Sequence, residues 1–172
     1  HYYLSGTGLY GSAMEIFTVV VAVYVIFAQF VQVSGAGDFF FKLGLAVVGR
    51  FRGGPAKVAV FSSSLFGTVS GLAVANVVVD GSITIPMMKK CGYKPEVAAA
   101  VEASASNGGQ IMPPVMGTAA FLMADMLGIP YWGVVTAAFL PAIFYYIALY
   151  FMLDFEAAKT GLKGLPRVQI PP

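Results

Sequence analysis

The sequence predicts an all-α membrane protein whose helices are interrupted twice at membrane depth. Three observations predict it. Of 172 residues, 58% are hydrophobic and 10% charged, against about 25% charged in a soluble domain; mean hydropathy is +0.80. The apolar residues fall in runs of spanning or near-spanning length. Finally, two of the breaks, at Ser70-Gly71 and at 106–114, are made of Gly, Ser, Asn and Pro and carry no charge.

Residues 14–33, "MEIFTVVVAVYVIFAQFVQV", supply 20 mostly apolar positions, enough to cross a ~30 Å hydrocarbon core at about 1.5 Å per residue. This predicts a spanning helix, ended by "SGAG". Residues 38–51, "DFFFKLGLAVVGRF", are short and carry Asp38, Lys42 and Arg50 around an apolar face, so they predict an interfacial helix. Two arms follow, 56–70 and 73–88, each too short to span. They predict a re-entrant hairpin that turns at Ser70-Gly71. The 35 residues 94–128 are too long for one straight crossing, and "SNGGQIMPP" (106–114) divides them. Two prolines remove backbone donors and two glycines loosen the chain, predicting two half-helices. "GIPYWG" (128–133) supplies interfacial aromatics, and 131–153 predicts a return crossing.

This layout places all ten Lys and Arg residues on one side, with Glu15 and Asp125 on the other. The basic side is then cytoplasmic. A net charge of +2 without interleaved stacking aromatics excludes a nucleic-acid partner. One cysteine, Cys91, and one histidine, His1, argue against a disulfide, a thiolate–imidazole metal centre and a histidine base. No signal peptide is evident. A start at His1 and a linker-like "PRVQIPP" end predict a piece of a longer polypeptide.

Irregular backbone at membrane depth persists only when buried in protein or lining an aqueous cavity. In secondary transporters such breaks aim half-helix termini at ligands. The C-terminal ends of 56–70 and 94–106 would direct carbonyls at a cation, with Ser70, Asn76, Ser104, Ser106 and Asn107 as hard oxygen donors. The N-terminal ends near Ala73 and Pro114 would offer N–H groups to an anion. The competing explanation is close helix packing, which small residues favour; it is preferred for any single serine, and the ligand reading for Asn76 and Asn107. Asp80 and Glu102 are intramembrane acids, each readable as a direct ligand or as a brace. "GAGD" (35–38) and "TVSG" (68–71) approach intramembrane protease motifs. Asp38 has no transmembrane Tyr-Asp partner, and "TVSG" has neither the leading glycine nor a histidine base. No phosphate-binding glycine loop is present.

The strings "GRFRGGPAKVAVFSSSLFGTVSGLAVANVVVDGSITIP" and "GYKPEVAAAVEASASNGGQIMPPVMGTAAFLMADMLGIPY" resemble the large membrane subunit of tripartite ATP-independent periplasmic (TRAP) transporters, with wording closest to fused permeases of the TAXI subclass. The resemblance covers about residues 35–150. It implies an elevator-type transporter of the inner membrane, driven by Na+ and not an enzyme. Organic acids would come from a periplasmic substrate-binding protein, and a small membrane subunit, often fused, would pair with the permease. "TVSGLAVAN" (68–76) corresponds to the family's first hairpin tip and "EASASNGGQIMPP" (102–114) to its first broken helix. On that correspondence Ser70, Gly71, Gly109, Gln110 and Pro113 would line the substrate site. Ser70, Asn76, Ser106, Asn107 and Gly108 would hold sodium. Leu72 and Asn107 depart from the family's usual small hydroxyl residue and threonine.

The resemblance reaches only the first of two inverted repeats. Its organisation would be a lead at 1–13, spanning and interfacial scaffold helices at 14–54, the hairpin at 55–92, the broken helix at 93–128, a spanning helix at 129–158, and a cytoplasmic linker at 159–172 to the second repeat. Three alternatives remain: an elevator-type dicarboxylate or anion porter without a binding protein, an intramembrane aspartyl protease using Asp38, and a non-transporting structural subunit.

Overall fold

The computed structural model describes residues 22–162 together with Gly11, Met14, Thr18, Val19 and Gly164. Among them all regular structure is helical. The helices are α1 (Ala22–Val33), α2 (Ala36–Val48), α3 (Gly54–Ser70), α4 (Ala73–Lys90), α5 (Pro95–Gly108), α6 (Thr118–Leu127) and α7 (Tyr131–Thr160), with a 3-10 turn at Gly109–Ile111. Of the segment expected at 14–33, α1 is the continuous described part; most residues before it lie outside the described set.

Helix α3 is the hub, packing on α2, α4, α5, α7 and the 3-10 turn. Its sequence, "GPAKVAVFSSSLFGTVS", explains this: Gly, Ala and Ser recur all round the helix, so neighbouring backbones approach closely from several sides. Ala56, Ala59 and Val60 join Met88, Ala98, Val101, Ala105, Leu149 and Leu153 in the main apolar core. Left-handed Gly53 and Gly71 bound α3. The first is pinned: a Cβ on Gly53 would stand 2.7 Å from Ala157 Cβ and 2.9 Å from the Tyr93 hydroxyl. Tyr93 donates to Gly53 O at 3.3 Å. Burial pushes its phenol up to about 12, so it stays a donor.

The return helix is longer than expected. Instead of ending at 153, or at 158 as its unit was bounded, α7 runs to Thr160, about 45 Å at 1.5 Å per residue. Buried Leu153 and Ala157 give its polar end a packed face, and left-handed Gly161 stops it. It is the one helix among the described residues long and apolar enough to cross a membrane. Phe139, Leu140, Phe144, Phe151 and Phe155 are exposed along it, an apolar surface that water does not favour.

The basic end of the molecule is anchored where α3 begins. Lys57, almost fully buried, reaches Asp154 Oδ1 at 2.6 Å, Arg52 reaches Oδ2 at 2.5 Å, and the Lys57 ammonium lies 4.4 Å from the Tyr150 ring centroid. One carboxylate on α7 thereby compensates the buried cation at the start of the hairpin.

Candidate functional site: two interruptions meet

The first interruption is a two-residue joint. Gly71 takes φ 60° and donates to Gly67 O, closing α3; Leu72 is extended and opens α4 without a side-chain cap. The second is longer. After α5 the chain tightens to the 3-10 turn, passes a cis Pro113–Pro114 bond and Met116 at φ 59°, and opens α6 at uncapped Gly117.

The fold packs one interruption against the other. A Cβ on Gly67 would collide with Gly109 Cα, and one on Gly71 with Met116 O. Val115 N donates to Thr68 O at 3.4 Å, and Gly117 N to Gln110 O at 2.6 Å. Gly109 also sits beside the Asn76 amide, whose nitrogen would be 3.3 Å from an added Cβ. Glycine on the hairpin side of this seam is a steric requirement, and a Cβ on Gly109 would be tight, 3.0 Å from Gly67 Cα.

The expected site residues therefore separate into groups. Ser70, Gly71, Asn76, Gly108 and Gly109 are buried, and Gly71, Asn76 and Gly109 lie along the seam. Asn76 Nδ2 donates to Ser63 O at 3.1 Å. Asn76 Oδ1 and Ser70 Oγ are buried with no protein partner, a costly condition for polar oxygens. Asn107 and Gln110 are exposed and bond each other at 2.9 Å. Pro113 is half-buried in the turn, and Ser104 lends its backbone carbonyl to Tyr145. Ser106 is engaged elsewhere, donating to Glu102 Oε1 at 3.1 Å.

That last bond belongs to a buried polar cluster. Asp80 accepts from Ser62 at 2.9 Å and Ser63 at 3.1 Å. Ser63 Oγ also lies 3.4 Å from Glu102 Oε1, and Thr84 contacts both Glu102 Oε2 and Asp80 O. Through these contacts the two acids link α3, α4 and α5. Sequence reading missed Ser62, Ser63 and Thr84. The signal available was spacing: Thr84 stands one turn after Asp80, and "SSS" (62–64) lies opposite them on the facing arm. It also missed the hydrogen-bonding role of Tyr131 at the start of α7. Tyr131 OH contacts Val115 O and lies 3.1 Å from Pro114 O.

Asp38, the residue of the protease alternative, is exposed and pairs with Lys42 one turn on at 3.6 Å. That is a surface ion pair, with no second carboxylate in the contact.

Among the described residues, an all-helical protein with one helix long and apolar enough to cross a membrane, organised around a helical-hairpin tip seated on a helix break, is the class that fold and site define. Residues 6–171 match the family "Tripartite ATP-independent periplasmic transporter, DctM component". The chain belongs to this family of transporter permeases. An uncharacterized protein, y4mL, of Sinorhizobium fredii is 34% identical over 117 residues, 68% of this chain and 27% of the relative. The C4-dicarboxylate TRAP transporter large permease protein DctM of Vibrio cholerae is 31% identical over 146 residues, 84% of this chain and 31% of the relative. The ectoine/5-hydroxyectoine TRAP transporter large permease protein UehC of Ruegeria pomeroyi is 40% identical over 73 residues, 42% of this chain and 17% of the relative. The chain spans less than a third of the length of these relatives.

Proposed function

We propose that this chain is the first inverted repeat of a sodium-coupled, elevator-type importer of organic acids in a bacterial inner membrane. On this reading α3 and α4 form a re-entrant hairpin entered and left on the cytoplasmic side. A periplasmic binding protein delivers the substrate, a small membrane subunit, fused as in the TAXI subclass, pairs with the permease, and a second repeat completes the site. Carboxylate substrates suit two uncapped half-helix N-termini, at Leu72 and Gly117, where N–H groups and the helix dipole favour an anion. The named relatives carry C4-dicarboxylate and ectoine in their descriptions; a carboxylate is common to both.

The observation that carries the sodium reading is the pair of orphaned buried oxygens, Ser70 Oγ and Asn76 Oδ1. They are hard, neutral donors close to the seam, and they suit an alkali cation better than a metal that needs thiolate or imidazole. Ser70, Asn76 and the backbone carbonyls around Asn107 and Gly108 would hold the ion. Ser106 is a weaker candidate, because its hydroxyl already serves Glu102. Charge supplied by the ion between the two breaks would favour an anionic substrate at the adjoining helix N-termini, which is a direct electrostatic basis for coupling.

The deciding experiment is Asn76→Leu in the transport-competent protein, with uptake measured against sodium concentration. The half-saturating sodium concentration should rise at least several-fold, or uptake should vanish with the protein still inserted. Unchanged sodium dependence would return Asn76 to a packing role.

A further inference from the structure

At the end of α5 the hydrogen-bond register changes. In a continuing α-helix the Gly109 N–H would bond Ala105 O, four residues back. Here it turns instead to Ser106 O and Asn107 O, and the chain enters the 3-10 turn. Ala105 is buried, so its carbonyl would be left without that partner in a place water does not reach. The Tyr146 hydroxyl takes it, donating at 3.0 Å, and the neighbouring Tyr145 hydroxyl donates to Ser104 O at 2.8 Å. Both come from α7, a separate crossing. Their rings, 5.5 Å apart and nearly perpendicular, close over Gly108. A Cβ there would stand 2.5 Å from Tyr145 Cε1 and 2.9 Å from Tyr146 Cζ.

We propose that Tyr145 and Tyr146 are positioning residues that set where α5 stops being an α-helix, and through it the placement of Gly109 against the hairpin tip. The two hydroxyls occupy the carbonyls of residues 104 and 105. The next carbonyls toward the seam, those of Ser106 and Asn107, take the Gly109 N–H and, on the sodium reading, would share their remaining lone pairs with a cation. Without the Tyr146 hydroxyl, the cheapest way to satisfy Ala105 O is for Gly109 N–H to return to it. That change would carry Gly109 and Gln110 out of their register against Gly67 and Gly117. The functional consequence rests on the sodium reading; the structural one does not.

The test uses Tyr146→Phe and Tyr145→Phe in the transport-competent protein, with two readouts. Amide exchange at 109–112 should quicken roughly threefold to tenfold, the scale of one net hydrogen bond, while exchange in the hairpin arms stays unchanged. Half-saturating sodium should rise by a similar factor, with maximal uptake at saturating sodium retained. Gly108→Ala, which pushes on the rings without deleting a hydroxyl, should quicken exchange at 109–112 in the same way and serves for that readout alone if a phenylalanine variant fails to insert. Unchanged exchange at 109–112 would overturn the positioning role whatever sodium does. So would a fall in maximal uptake with half-saturating sodium unchanged, which is what a purely structural role gives. If wild-type uptake is indifferent to sodium, the sodium reading fails, and the exchange profile still decides the role of the tyrosines.

Discussion

The two interruptions solve the same problem by different means. At Ser70–Leu72 the chain reverses with one left-handed glycine, and the joint is closed by a backbone bond inside its own helix. At 108–117 it needs help from elsewhere: Tyr145 and Tyr146 on the α5 carbonyls, Tyr131 on Pro114 and Val115, and Thr68 across the seam. The tip is therefore determined locally and the break is determined by its neighbours. A joint of the first kind fails through its own backbone; one of the second fails through residues remote in sequence.

The largest effect should come from filling the seam itself. Gly71→Ala forces a Cβ into Met116 O, with about 1–2 kcal/mol of left-handed strain in addition. Gly67→Val drives a side chain into Gly109 backbone. Both should abolish uptake and lower the thermal midpoint of the purified protein. Near-normal uptake by either would mean that tip and break separate freely and that their contact is incidental.

Next is the brace behind the seam. Glu102→Ala leaves a cavity and takes the acceptor from Ser106, and so should cost roughly 2–4 kcal/mol. Thermal unfolding in detergent measures it. A shift no larger than that of an exposed substitution would deny the cluster its bracing role. Tyr131→Phe is milder, about 0.5–1.5 kcal/mol. Its signature is local: faster exchange at 115–117 with none at 71–76. Equal quickening at both places would mean that the two joints are one cooperative unit, and the contrast drawn above would collapse.

Asn107→Leu should change sodium dependence less than Asn76→Leu, since Asn107 is exposed and already paired with Gln110. The reverse order would place the cation at the break instead of at the hairpin. Smallest in functional terms is a topology probe at Cys91. A membrane-impermeant maleimide should label it only after permeabilisation, because it adjoins Lys89 and Lys90 on the basic side. Burial pushes the Cys91 thiol up, so labelling should quicken as pH rises and the thiolate fraction grows. Rapid labelling of intact cells from outside would invert the proposed orientation.

Sequence alone determined the helical class and the location of both interruptions. These are local properties: apolar run length, Gly and Pro at the breaks, and arms too short to span are visible within a few residues of each event. The candidates Ser70, Gly71, Asn76 and Gly109 were legible for the same reason, as small or polar residues at a break. Only the tertiary structure decided which of them meet. Residues 67 and 109, or 105 and 146, are brought together by the packing of α3 and α7 on α5, and no pattern in a single sequence encodes a contact across some forty positions. It also decided that Ser106 serves Glu102, that Asp80 and Glu102 bond across α3, α4 and α5, and that two tyrosines in an apolar run bond the carbonyls of a distant helix. A buried hydrogen bond is specified by where its partner lies, and that depends on how every helix between them packs.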